Sequence, residues 1–297
     1  MSIGLPVYNG ERFITEALDS VMAQTFEDFE LLISDNASTD ATGSIAASFA
    51  ERDQRVRHLR HAETKGATWN FNTVFGEATG DLFVWLAHDD AWEPDFLERC
   101  VEAFDRDAGV VLAFSNTSYV DEDTEPAGSR EYPMRTNSER VSERLWDVLM
   151  VWHDCLPVFG VIRRSALAET GLIGPYAFGD HLLLAELCLL GRFEIFDDHL
   201  FRSRLHPGQS IQQFNVWVDH HAYGNWFTES TSGRPPLPMW QMLGDLLRAV
   251  WRARPGLPET AGCLAAIGRW TIRYRRLLLK DLGILGRYWW RRPRARR

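Results

Sequence analysis

Apolar residues fall in short blocks along the first part of the chain. Each block is followed by a polar turn and then by apolar positions spaced three or four apart. The spacing predicts a buried strand over Ser2 to Val7. A helix follows from Glu11 to Gln24, with Phe13, Ile14, Ala17, Leu18, Val21 and Met22 on one face. Phe29 to Ile33 is the next strand. Ser38, Thr39 and Asp40 are residues that cap a helix, here one running through Ile45, Ala46 and Phe49. Val56 to His61 is a third strand, and a turn at Gly66 leads to a helix near Trp69 to Ala78. Leu82 to Leu86 is apolar throughout, as suits a strand covered on both faces. Pro94 opens another helix that ends near Asp107, and Val110 to Phe114 is a fifth strand.

Strands alternating with helices predict an α/β fold with a mainly parallel central sheet flanked by helices. After Asp121 the pattern loosens into a polar loop reaching Asn137. Phe159 to Ile162, Phe193 to Phe196 and Leu200 to Leu205 read as short strands, and Leu182 to Leu190 as a helix. From about residue 212 onward the chain reads as helices broken by Pro235-Pro236, Pro255-Gly256 and Pro258. The expected division is a core over 1–211 and a helical C-terminal extension over 212–297. Within the core, the regular strand–helix alternation covers about residues 1–120 and the looser pattern residues 121–211.

Composition adds little to the fold but narrows the function. With 297 residues, 45% apolar and 25% charged, the chain is neither disordered nor fibrous. No apolar run approaches the roughly 20 residues of a membrane span. The N-terminus has no secretory signal pattern, and the four cysteines form no CxxC pair, so neither a zinc cluster nor a disulfide scaffold is expected. Together these point to a reducing cytoplasm. The net charge of −9 is unevenly spread: Arg269 to Arg297 carries a local balance of +10, leaving −19 for the rest. An acidic body excludes a general nucleic-acid binder. The basic tail, WTIRYRRLLLKDLGILGRYWWRRPRARR, suits a helix on an anionic membrane surface, or else one packed on the core with a solvated end.

Ligands of such sheets bind beyond the carboxyl ends of the strands. Three polar clusters fall there: Tyr8-Asn9, Asp35-Asn36 and His88-Asp89-Asp90. Neither a P-loop nor a GxGxxG follows the first strand, which weakens kinase and dinucleotide readings. Adjacent carboxylates at the end of a buried strand repel unless a cation sits beside them, and a divalent metal serves; the alternative is a loop pair with one residue capping the next helix. Asp35 in SDNASTD can accept a hydrogen bond from a nucleobase imide, and Tyr8 can stack on that base. The alternative there is an Asx-turn, the expected role of Ser38 and Asp40.

The run GLPVYNGERFITEALDSVMAQTFEDFELLISDNASTD, the GATWNFN turn and AHDD resemble, in order and spacing, the family-2 inverting glycosyltransferases of the GT-A fold. The resemblance covers roughly residues 2 to 211 and is strongest over the first ~120; it implies a nucleotide-binding half over about 1–120, a natural size for one, and an acceptor half over 121–211. It implies transfer of a sugar with inversion from a nucleotide-diphospho-sugar (UDP-, dTDP- or GDP-linked) to a saccharide or lipid-linked acceptor, in cell-surface polysaccharide or glycan synthesis. It also implies a divalent cofactor, Mg²⁺ or Mn²⁺. Carried over, Pro6, Tyr8 and Asp35 line the nucleobase pocket, with Gly66 and Asn70 of the GATWNFN turn on the nucleotide-sugar. Asp89 faces the ribose and diphosphate, and Asp90 is the metal-binding carboxylate. Ala87 stands where many members have a further Asp, so the metal site is expected to be lean.

In FGDHLLLAEL, Gly179 replaces the first acid of the family's Glu-Asp pair and Asp180 remains as the general base, its alternative being a helix cap. Glu186, on the same helix, is a weaker rival for the base and reads as a surface or neck residue. RLHPGQSI resembles the segment that closes over the diphosphate, with Arg204 to neutralise phosphate and His206 as an additional metal ligand or a phosphate hydrogen-bond donor, its alternative being a turn residue before Pro207. Asp219-His220-His221 falls outside the match and reads as structural. Two rival classes stay in view. One is a non-catalytic GT-A scaffold or binding module, suggested by Ala87 and Gly179. The other is a nucleotidyltransferase, which lacks support because LPVYNGER is not a Gly-rich, Lys-bearing loop.

Overall fold

The computed structural model describes residues 1–209 and 237–291, the side chains of 289–291 excepted. The first part alternates strand and helix: β1 Ser2–Val7, α1 Ile14–Met22, β2 Glu30–Asp35, α2 Thr42–Arg52, β3 Val56–Arg60, α3 Ala67–Gly76, β4 Leu82–Trp85, β5 Ala91–Trp92, α4 Phe96–Arg106 and β6 Val110–Val120. The second part holds β7 Pro126–Arg130, α5 Val141–Met150, a 3-10 turn Leu156–Phe159, β8 Val161–Arg163, α6 Arg164–Ala168, α7 Gly179–Leu190 and β9 Arg192–Arg204. Three helices follow: α8 Pro238–Ala253, α9 Leu257–Arg273 and α10 Arg275–Arg291.

The strands form one sheet in the order β3-β2-β1-β4-β8-β6-β9-β5, with β7 added on β6. The block β3-β2-β1-β4 is parallel throughout. Beyond β4 the sheet is mixed: β8 is antiparallel to both β4 and β6, β9 is parallel to β6, and β5 is antiparallel to β9. The sheet is therefore wholly parallel through its first half, as expected, and mixed beyond it.

Successive residues of the central strands alternate between two packed layers, as the period of two in a strand requires. Ile3, Leu5, Leu31, Ile33, Val84 and Leu86 pack with α1 and α4, where Phe96, Leu97, Cys100, Ala103 and Phe104 form the buried stripe. Leu32, Phe83, Trp85, Leu112 and Phe114 face the other layer, built from α3, α5 and α7. The C-terminal helices belong to that second layer: Met239, Met242 and Leu246 of α8 and Cys263, Ile267 and Trp270 of α9 share its core. The expected boundary at residue 211 lies outside the described residues.

Two further differences have local causes. Residues 126–130 are a strand rather than loop; Pro126, Ala127, Gly128 and Ser129 are exposed, so no apolar pattern marks them. The segments read as two strands before residue 205 are one, β9, whose register against β6 shifts between Ser115 and Thr117; Asp197 to Leu200 form the irregularity.

Candidate functional site

The carboxyl ends of β1, β2 and β4 meet at one edge of the parallel block. The loop after β1 is stitched to the loop after β2. Asn9 donates its backbone N–H to Ser38 Oγ at 2.9 Å, Gly10 donates to Thr42 Oγ1 at 2.8 Å, and Thr39 donates to Asn9 Oδ1 at 2.9 Å. Asn9 takes a left-handed conformation (φ 50°) in this turn. Tyr8, at its tip, is 50% exposed, whereas Pro6 is buried inside β1. Asp40 accepts backbone N–H groups from Thr42 and Glu11, the local turn role expected of it.

Asp35 ends β2 and is fully buried. Its Oδ1 accepts the Ser38 backbone N–H at 2.7 Å, the Asx-turn geometry. Its Oδ2 has no hydrogen-bond partner and sits 3.6 Å from Arg60 Nη1 and 3.8 Å from His58 Nε2, itself unpaired. Burial works against the ionised form, yet His58, Ser38 and the Arg60 charge hold the carboxyl down to about 2. Two expected ligand residues have other employment. Asn70 is buried, and its amide donates to the carbonyls of Val7 (3.3 Å) and Ser34 (3.0 Å) while accepting from Ser34 Oγ (2.6 Å). It ties α3 across two strand ends, a requirement of the buried polar groups there. Gly66 (φ 80°) starts α3, and its carbonyl takes the Asn36 side-chain amide at 3.4 Å.

The Asp pair is split by its surroundings. After it, β5 runs antiparallel to β9 with Ala91 opposite Arg202, which brings the end of β9 against both carboxylates. Asp90 turns inward. It is 5% exposed, accepts the Arg204 backbone N–H at 2.9 Å and is hydrogen-bonded by Ser203; burial and the neighbouring Asp89 charge push its carboxyl well up. Asp89 turns outward, its Oδ2 lying 2.9 Å from His206 Nε2 and its Oδ1 3.9 Å from His88 Nδ1. Burial opposes its ionisation, but those two imidazoles hold its carboxyl below the usual range. His206 also packs against Phe13, with ring centroids 4.8 Å apart.

Arg204 does not face the crevice. It is 2% exposed, with its guanidinium on the carbonyl of Asp121 (2.8 Å), Thr124 Oγ1 (3.0 Å), the carbonyl of Asp89 (3.2 Å) and the carboxylate of Glu16, over the Phe13 ring. The guanidinium expected on phosphate lies instead as a tie between α1, the loop after β6 and the Asp pair. Its long planar fork serves acceptors on several sides at once, the part-buried carbonyls of Asp89 and Asp121 among them.

Asp180 lies in the first turn of α7 and is not its cap; Phe178, left-handed at φ 73°, holds that position. Asp180 Oδ1 accepts the His181 backbone N–H at 2.8 Å and lies 3.2 Å from His181 Nδ1. Burial pulls its carboxyl up, but the hydrogen bonds and charge of His181 bring it below the ordinary value. Glu186 is not a surface residue: it is 4% exposed, accepts the Gly171 backbone N–H at 2.7 Å and pairs with Arg252 of α8. Asp219, His220 and His221 lie outside the described residues.

Sequence reasoning passed over one cluster in the second half. Asp154 takes hydrogen bonds from the hydroxyls of Tyr119 and Tyr132, the latter at 3.1 Å, and lies 3.7 Å from Arg130. Arg130 in turn covers the ring of Trp152, which is 51% exposed. The signal in the sequence is weak: WHDC sets three polar or ionisable residues shortly after the apolar end of α5, while Arg130 and the two tyrosines come from distant segments.

A family model described as glycosyl transferase family 2 matches residues 2–171, more than half of the chain. An uncharacterized glycosyltransferase of Nostoc is 27% identical over 216 residues, covering 69% of this chain and 65% of its own length; the chain thus spans just under two thirds of that relative. Staphylococcus aureus TarS (residues 1–349), solved with UDP-GlcNAc, superposes with a TM-score of 0.67 at 16% identity, covering 97% of this chain and 80% of that one. The mannosyltransferase PcManGT of Pyrobaculum calidifontis, solved with GDP-Man and Mn²⁺, superposes at 0.54 with 19% identity over 100% of this chain and 87% of its own. With the family model spanning β1 to β8 and all three strand-end clusters, the chain belongs to glycosyl transferase family 2 and has the GT-A fold.

Proposed function

We propose that the chain transfers a sugar, with inversion, from a nucleoside-diphosphate sugar to a hydroxyl of a saccharide or lipid-linked acceptor. The observation that carries this is the convergence of Tyr8, the unpaired Asp35 Oδ2 and the Asp89–His206 pair at neighbouring strand ends. Tyr8 offers a ring face to a base. Asp35 offers an acceptor, ionised at any physiological pH, for an imide N–H. The solved neighbours carry UDP-GlcNAc and GDP-Man, so a UDP- or GDP-linked donor is the reading for this chain too.

A divalent metal fits Asp89 and His206. A carboxylate oxygen and an imidazole nitrogen 2.9 Å apart, on side chains 13% and 11% exposed, form a mixed O/N donor set that suits Mn²⁺ better than Mg²⁺. This assignment reverses the expected roles within the Asp pair, because Asp90 is spent on the Arg204 backbone N–H. When bound, the metal supplies positive charge against the diphosphate leaving group. The chain's own residues do the rest. His88 and His206 keep Asp89 anionic, and Arg204 fixes the backbone of Asp89. Asp180, held as a carboxylate by His181, takes the proton of the acceptor hydroxyl as it attacks the anomeric carbon from the face opposite the diphosphate.

No helix among the described residues is long and apolar enough to cross a membrane. In α9 and α10, Ile272, Leu279 and Leu282 are exposed beside Arg269, Arg273, Arg275 and Arg276, so we assign this face to an anionic lipid surface. Donor hydrolysis across UDP-, dTDP- and GDP-sugars, with and without Mn²⁺, tests the central reading. Metal-stimulated release of one nucleoside diphosphate is expected. Absence of turnover and of nucleotide binding with every donor would leave a non-catalytic scaffold.

A further inference from the structure

We propose that His153, Cys155 and His181 form a binding site for one zinc ion, separate from the Asp89–His206 pair. Among the described residues these three are the one group of His, Cys, Asp or Glu side chains whose donor atoms all lie within 4.8 Å of one another. The spacing of the cysteines in sequence gave no hint of it, because the ligands come from the loop after α5 and from α7.

The geometry is that of a tetrahedral site before contraction onto an ion. Cys155 Sγ lies 2.9 Å from His181 Nδ1 and 3.7 Å from His153 Nδ1. Zn–S near 2.3 Å and Zn–N near 2.0–2.1 Å, at tetrahedral angles, place S and N about 3.5 Å apart. The observed distances bracket that edge. The outer contacts are also those of a metal site. His153 Nε2 is 2.9 Å from the Val148 carbonyl, which fixes the proton on Nε2 and leaves Nδ1 an acceptor, one that takes the Cys155 backbone N–H at 3.3 Å and that an ion would engage in its place. Asp180 Oδ1 is 3.2 Å from His181 Nδ1, so an ion on that nitrogen would replace the imidazole contact, and its positive charge would then hold the nearby carboxylate ionised.

Two more features fall at the same place. Cys155 is a non-glycine residue in the left-handed region, at φ 63°, and this conformation is where the chain turns between the loop and the 3-10 turn that follows it. Such strain persists only where surrounding structure demands it. His153 and Cys155 are 5% and 4% exposed, so their donor atoms are held away from bulk solvent. Thiolate and imidazole are borderline-soft donors, which select zinc over the hard Mg²⁺ or Mn²⁺ proposed for the other site. Binding converts the Cys155 thiol to a zinc thiolate and releases its proton to solvent. The ion would join the loop after α5 to the first turn of α7, and so hold the turn that carries Asp180. Only that consequence rests on the transferase reading; the site itself does not.

Cobalt is the spectroscopic probe. The full chain is stripped by dialysis against a chelator and titrated with Co²⁺. One equivalent should give the thiolate-to-cobalt charge-transfer band and the intense visible bands of a tetrahedral ion, and Zn²⁺ should displace it. Asp89→Asn should keep these bands, which separates this site from the donor site. Cys155→Ser should lose the charge-transfer band, and His181→Gln should weaken Zn²⁺ binding about tenfold or more. If the serine variant fails to fold, the wild-type spectrum decides. A wild-type titration with no thiolate band overturns the proposal, leaving a Cys–His hydrogen-bond cluster. A band that survives in Cys155→Ser also overturns it, since Cys100, Cys188 or Cys263 would then be the ligand.

Discussion

Replacing Arg204 by methionine separates a structural role from a phosphate-binding one, because the two predict opposite results. The methionine keeps most of the apolar contact over Phe13 and removes the guanidinium. Four partners then lose their donor: the carbonyls of Asp121 and Asp89, Thr124 Oγ1 and the Glu16 carboxylate. Glu16 is 37% exposed and Thr124 is exposed, so water replaces the arginine there and those contacts count for little. The two carbonyls keep only partial access to water, and each costs about 1–3 kcal/mol when left unpaired. The expected destabilisation is about 4 kcal/mol, in the range of a broken buried charge network.

Unfolding entropy near 2.1 cal/mol/K per residue turns that into a fall of about 6 °C in Tm for a chain of 297 residues. Arg204→Lys should lose more than half of this, since an ammonium cannot serve acceptors on several sides at once. The assay pairs thermal unfolding with calorimetric titration of UDP and GDP at low temperature, where the variant is folded. Nucleotide affinity should change less than about tenfold. An unchanged Tm combined with loss of nucleotide binding, rescued by lysine, would refute the structural assignment and return Arg204 to the phosphates.

Within the Asp pair, Asp89→Asn should lower Mn²⁺ affinity by more than about 100-fold, exceeding the usual outer-shell effect, while Asp90→Asn keeps its acceptor toward Arg204 and stays within tenfold; manganese titration of both variants decides, and the reverse order would restore Asp90 as ligand. Asp180→Asn should reduce kcat by ~10²–10⁴ with donor affinity unchanged, and a loss of donor binding instead would make Asp180 a binding residue. Asp35, held at about 2 in the folded chain against 3.8 unfolded, contributes about 2 kcal/mol of stability above pH 4, and this is lost as pH falls through 2. Asp35→Asn should therefore flatten the acid limb of a stability–pH curve, and an unchanged limb would mean that the carboxylate is not held by His58 and Arg60. Arg275→Gln with Arg276→Gln should weaken co-sedimentation with anionic liposomes by about 2 kcal/mol, roughly 30-fold, with neutral liposomes unaffected; equal, negligible binding by the unaltered chain would rule out the lipid assignment.

The first half of the fold was legible because each βα unit prints its own local pattern. Apolar strand, polar turn and three-to-four spacing recur through Phe104, and the ends of β1, β2 and β4 mark the crevice by themselves. What escaped depends on contacts between distant segments. β7 has four exposed residues and exists because β6 offers an open edge. Whether Asp89 or Asp90 faces outward follows from the antiparallel pairing of β5 with β9, more than a hundred residues later in the chain, and no local pattern encodes it. Arg204 and Asn70 are polar residues in turn-like surroundings whose burial comes from the same long-range packing. Glu186 was the more readable case, since an acid inside LLLAELCLL on an apolar helix needs a buried partner, and Arg252 supplies it.

The two departures from the family pattern, Ala87 and Gly179, first suggested a core that had lost its chemistry, and the structure weakens that inference at one of them directly. A Cβ on residue 179 would lie 2.6 Å from the Gly174 carbonyl oxygen and 2.8 Å from the Gly174 nitrogen. Both are backbone atoms that cannot step aside, so the tight return of the chain between Gly174 and α7 excludes an acid there whatever the protein does. Asp180 keeps its place beside His181, as a base requires. At Ala87 the further acid is absent, and the donor beside Asp89 is instead His206, delivered by the strand pairing that buries Arg204 and Asp90. A decayed scaffold has no reason to keep an outward Asp–His pair on one side of that pairing and a fully satisfied arginine on the other. The arginine secures the backbone of Asp89, and the pair is what that backbone presents to the crevice.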